Sequence, residues 1–107
     1  MYVIVVYIPS DHVLNVVQAL ANAGAGEIGN YRACSFQVKG QGQFEPQAGA
    51  EPFIGDVGIL EVVEEVRVEM VCEQEKVKEA LQAMLDSHPY EEPAYHVIAV
   101  KTLADFC

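Results

Sequence analysis

The run Tyr2-Val3-Ile4-Val5-Val6-Tyr7-Ile8 carries β-branched and aromatic residues with no polar alternation. A half-exposed strand alternates; a strand that does not alternate is covered on both faces. The chain must therefore supply, or recruit, a layer on each side of its first strand. Pro9-Ser10-Asp11 reads as a turn and helix N-cap. Val13, Leu14, Val16, Val17, Leu20, Ala21 and Ala23 then recur at helical spacing, with Gly24 as the stop. Tyr31 to Val38 predicts a second strand with Cys34, Phe36 and Val38 on one face. Ile59 to Val71 predicts a third, in which Val66, Val68 and Met70 alternate with Glu65, Arg67 and Glu69. The unbroken start Leu60 to Glu64 predicts a bulge there. Glu73 to Ser87 has acids in its first turn and would bury Val77, Ala80, Leu81, Met84 and Leu85 as a second helix, ended by Pro89. Tyr95 to Val100 makes the last strand, and residues 101–107 form a short tail.

This order is the split βαβ pattern of an α+β, ferredoxin-like βαββαβ sandwich, an antiparallel sheet with two helices on one face. Residues 1–107 are read as a single domain, near the size at which burial is marginal without partners. Two helices cover one face only, and a second copy of the chain is the simplest cover for the other. Self-association is thus expected from pattern alone.

Charge narrows the partners. A formal charge of −10 excludes nucleic acid and anionic membrane, both of which need a basic footprint. The apolar N-terminal run is too short to span a bilayer, has no preceding basic residue and meets Pro9, so it reads as neither signal peptide nor anchor. Cys34, Cys72 and Cys107 are an odd, scattered set that fits reduced thiols in a cytoplasm; Cys34 reads as a buried small hydrophobe and Cys107 as an oxidisable thiol.

Gly24-Ala25-Gly26-Glu27-Ile28-Gly29 matches Gly-x-Gly-x-x-Gly, yet a dinucleotide fingerprint leaves a strand and opens a helix. Here the glycines follow a helix, so they read as a helix stop and a tight loop. Residues 40–58 hold many glycines and two prolines around Phe44 and Phe53, a long loop of the kind that is functional or mobile and has room for a short hairpin. The stripe Glu61, Glu64, Glu65 and Glu69 reads as a solvated sheet face relieved by Arg67, with a divalent cation as the sharper alternative.

The densest chemistry lies in His88-Pro89-Tyr90-Glu91-Glu92-Pro93-Ala94-Tyr95. Two prolines four apart forbid a helix and fix the backbone between helix and last strand. An imidazole, a phenol and two carboxylates in one rigid turn can hold a transition metal or a cationic group. His88, Tyr90, Glu91 and Glu92 are accordingly candidate ligand-binding residues, with Phe44 and Tyr31 as aromatic neighbours; His88, Glu91 and Glu92 are the candidate ligands for a divalent metal ion. Three readings follow: an oligomer binding a small molecule, metal ion or protein partner without catalysis; a structural or interaction module in which the turn only satisfies helix and loop termini; and a hydrolase-type enzyme using His88 beside Glu91 or Glu92. The last lacks a visible nucleophile or oxyanion donor.

Several blocks together carry a resemblance: Gly24 to Tyr31, Cys34-Ser35-Phe36, Gly40 to Pro46, Gly49 to Pro52, Ile54-Gly55, Glu61 to Glu64 and His88 to Tyr95. From about Tyr2 to Val100 the chain resembles the domain inserted in NGG-one-interacting-factor-three-like proteins, the YqfO group. The resemblance implies a fold like that of the signal-transduction protein PII and the cation-tolerance protein CutA, and a homotrimer formed by joining sheets. It also implies that the dinuclear metal site and any hydrolase activity of the full-length proteins belong to flanking segments, so none of those ligands transfers to a residue here.

Overall fold

In the computed structural model, which describes residues 1–106, Tyr2–Pro9 forms β1 and a 3-10 turn at Ser10–His12 leads into helix α1, Val13–Asn22. Strands β2 (Phe36–Phe44) and β3 (Glu61–Cys72), helix α2 (Gln74–Ser87) and strand β4 (Tyr95–Ala99) follow. The sheet order is β2-β3-β1-β4, with every neighbouring pair antiparallel. The ferredoxin-like sandwich read from the sequence is the fold observed. The expectation for Cys107 lies outside the described residues.

Register divides each strand into two faces. Val6 lies opposite both Val68 and Tyr95, so Ile4, Val6 and Ile8 share a face with Val66, Val68, Met70 and Val97. This face packs on Val16, Leu20, Ala80 and Met84 of the helices and forms the core. On the opposite, open face Val5 is flanked by Glu69 and His96 and is fully buried, whereas Val3 and Tyr7 are half-buried. The open face of the central strand is therefore partly covered within one chain. On β2, Phe36 and Val38 are 64% and 49% exposed.

Helix α1 ends as its sequence prescribes. Gly24, at φ +107°, donates its amide to Ala21 O at 3.1 Å, and Ala25 donates to Leu20 O at 3.0 Å, a Schellman closure with glycine in the left-handed position. The glycine cluster is thus a helix stop and loop. The other end differs, since neither Ser10 nor Asp11 caps the helix and Ser10 Oγ donates to Glu64 Oε1 at 2.6 Å. Leu14 is 82% exposed, and Leu85 of α2 is also exposed, because each falls on the outer edge of its helix stripe.

Three boundaries move. The second strand starts at Phe36 because Ile28 and Tyr31 close a small bridge of their own and Ala33 adopts φ +59°. It continues through Gly40 to Phe44, so the expected long loop begins as strand and the loop proper spans 45–60. Pairing with β3 is unbroken from Phe36 opposite Glu69 to Phe44 opposite Glu61, so no bulge forms. Glycine is a poor strand former, but Gly42 makes room for Glu65: a Cβ there would force its carboxyl group to shift. Because β1 reaches only Glu65, residues 61–64 pair with β2 alone and extend as a two-stranded ribbon, stretching the molecule to 53 × 24 × 23 Å. Cys34 is half-exposed rather than buried, and Cys72 is buried as a free thiol.

Candidate functional site

Helix α2 stops at Ser87 because Pro89 cannot continue it, and His88 turns inward with 7% exposure. Its Nε2 lies 2.8 Å from Tyr7 O, and its Nδ1 accepts the Tyr90 amide at 3.1 Å. A ring that accepts at Nδ1 carries its proton on Nε2, so the neutral tautomer donates to Tyr7 O. The need for this contact is topological. Tyr7 N donates to Ala94 O at 3.2 Å, but β4 begins at Tyr95 and offers nothing beyond. His88 takes the place of the Ala94 amide, which an antiparallel pair would direct at Tyr7 O. Burial holds its pKa below the ordinary 6.5, outweighing the opposing Tyr7 carbonyl and Glu65.

From this anchor the turn projects Tyr90. Its phenol donates to Glu65 Oε2 at 2.9 Å, and its ring meets Phe44 edge-on at 5.7 Å between centroids. Burial first, and the Glu65 carboxylate second, push the phenol pKa well above its usual value, so it stays protonated and donating. Glu91 Oε1 accepts the Glu51 amide at 2.9 Å, pinning the 45–60 loop to the turn. Phe53 of the same loop meets His12 edge-on at 5.4 Å.

Between the loop and the turn lies a cavity of about 630 Å³. Its floor is the open face of the sheet at Tyr7, Phe44 and Glu65, and its walls include Pro46, Phe53, Tyr90 and Glu92. Pockets of this size accommodate small organic molecules. Phe44, Tyr90, Glu91 and Glu92, chosen from sequence, are brought together here. His88 is not among the lining residues; it holds Tyr90 from behind, with both nitrogens engaged, and so presents neither acid nor base to the cavity. Tyr31 sits apart, 75% exposed in its bridge with Ile28. Among the described residues no group of three or more His, Cys, Asp or Glu side chains is placed to hold a metal ion, so His88, Glu91 and Glu92 do not converge. The acidic stripe divides by register: Glu64 faces the helix side, while Glu69 pairs with Arg67 at 3.1 Å on the open face. Glu65 and Tyr7 were missed, and only the strand register, which places them beneath the turn, reveals them.

These features define a ferredoxin-like sandwich of the CutA/PII-like kind with a cavity on its open face. No family model matches the chain. A protein of Halalkalibacterium halodurans named GTP cyclohydrolase 1 type 2 homolog is 48% identical over 95 residues, covering 89% of this chain and 26% of its own length. The crystal structure of a Bacillus cereus protein related to NIF3 superposes with TM-score 0.81 at 42% identity, covering 94% of this chain and 26% of that one. CutA1 from Pyrococcus horikoshii shares the fold over 96% of this chain and 86% of its own, with TM-score 0.70 at 17% identity. The chain is homologous to a small domain of the NIF3/YqfO family and spans about a quarter of the length of the relatives it matches. No helix among the described residues is long and apolar enough to cross a membrane.

Proposed function

We propose that this chain is a cytoplasmic, non-catalytic regulatory module that assembles as a homotrimer and binds a small ligand in the cavity between the 45–60 loop and the Tyr90–Ala94 turn. The observation that carries the reading is the cavity itself, floored by the sheet and clamped by the bond from the Glu51 amide to Glu91. Phe44, Tyr90, Glu91 and Glu92 are its binding residues, and His88 is a positioning residue. Exposed Phe36 and Val38, Ile59 and Leu60 at the end of the loop, and Val62 of the ribbon support assembly, because surfaces of this kind mark association sites. A divalent metal ion is a weaker occupant, since His88 is committed to Tyr7 and Tyr90.

Native mass spectrometry on the chain purified without chelator tests this reading. A trimer that retains extra mass, lost in Phe44→Ala, is expected; a bare monomer would overturn both halves. A second reading, a structural or protein-interaction module without ligand, is favoured by the full use of the His88 ring inside the protein. A bare oligomer whose mass is insensitive to added small molecules would support it.

A further inference from the structure

We propose that the ligand is an organic cation, an amine or guanidinium on an apolar stem. This rests on the cavity being a ligand site and adds the chemistry of what enters it. The lining contains four carboxylates, Glu45, Glu65, Glu91 and Glu92, and no lysine or arginine. The nearby guanidinium, Arg67, stands outside the lining: it pairs with Glu69 at 3.1 Å and reaches only the Tyr7 edge of the floor, donating to the Tyr7 hydroxyl at 3.4 Å. Negative charge on the walls is therefore not neutralised from within the cavity.

The acids retain capacity for a donor. Glu65 gives Oε2 to Tyr90, Glu91 gives Oε1 to the Glu51 amide, and Glu45 gives Oε2 to Gln47, each leaving its other oxygen. Glu92 accepts no hydrogen bond among the described residues. The lining also includes the rings of Phe44, Tyr90 and Phe53, and aromatic faces attract cations. An anion such as a nucleotide phosphate would meet like charge on the walls. A bare metal ion would want several converging ligands, which the described residues do not form. A cation that is both charged and greasy satisfies rings and carboxylates together.

Calorimetric titration of the 107-residue chain with agmatine and tetramethylammonium tests this, against ATP, glutarate, neutral butanol and Mn²⁺. Agmatine should bind, lose affinity as salt rises, and weaken by about fivefold in Phe44→Leu and again in Glu92→Gln, the factor that one ring or one screened charge contributes. Phe44→Leu keeps an apolar residue at a half-buried position, so the fold should survive, which circular dichroism checks. Saturation by ATP, glutarate, butanol or Mn²⁺ in place of the amines would overturn the cation while leaving a ligand-binding cavity. Agmatine affinity unchanged in both variants would move the binding elsewhere and overturn it too. No response to any probe would sink the cation together with the ligand-binding reading.

Discussion

The same strands serve two faces that obey different rules. On the helix side Val66, Val68 and Met70 are closed off by Leu20, Ala80 and Met84. On the open side Glu65, Arg67 and Glu69 alternate with them one residue out of step, and Tyr90 reaches across to bond Glu65. One face is held by area removed from water, the other by a few directed bonds from a single turn. On the function proposed above, stability resides in the first and recognition in the second, so damage to each should be separable.

The largest effect should come from the closed face. Leu20→Ala leaves a cavity at a fully buried position and should cost about 3 kcal/mol in chemical denaturation. A loss under about 1 kcal/mol would mean that the helices are loosely seated. Next is His88→Ala, which strands the Tyr7 carbonyl and frees the turn, expected to cost about 2 kcal/mol. It also carries a pH signature. The folded pKa lies below 6.5, so between the two values the unfolded chain binds more protons and stability rises with pH. The contribution of the neutral ring is complete above about 6.5 and is lost as pH falls through the folded value. Thermal melts from pH 7.5 to 5 should therefore converge between wild type and His88→Ala at the acid end; parallel curves would refute a ring held neutral by burial.

Smaller still is Tyr90→Phe, which removes one bond to Glu65 at a half-buried site and should cost about 1 kcal/mol while disturbing ligand response more than melting. Equal loss of both would place Tyr90 with the core rather than the site. Smallest is Phe36→Ser, expected to leave the denaturation midpoint of the subunit within about 0.5 kcal/mol and to shift the species seen by analytical ultracentrifugation toward monomer. An unchanged sedimentation profile would remove β2 from the assembly surface.

Much of the closed face was legible in the sequence because burial writes itself as periodicity. Val66, Val68 and Met70 alternate, Leu20 and Met84 recur at helical spacing, and Gly24 and Pro89 mark where helices must stop. The open face was only half legible. Tyr90, Glu91 and Glu92 stood out because two prolines confine them, but Glu65 looked like one more solvated acid until pairing placed it beneath Tyr90. His88 misled for a related reason: an imidazole beside carboxylates fits a ligand, and nothing local reveals that β4 starts too late to satisfy Tyr7. Strand β2 was shortened because glycines at 40 and 42 argue against a strand, and only the packing of Glu65 explains why Gly42 belongs in one. Tertiary pairing outweighed local propensity there.

The bond from the Tyr90 amide to the His88 ring has a consequence for how this turn keeps time. An amide in a surface turn ordinarily trades its proton with water almost at once, whereas one held by a buried ring waits for the ring to let go. The exchange rate of that single proton thus counts the openings of the wall behind the cavity. An occupant lying against the Tyr90 ring would slow that clock without having to touch the proton.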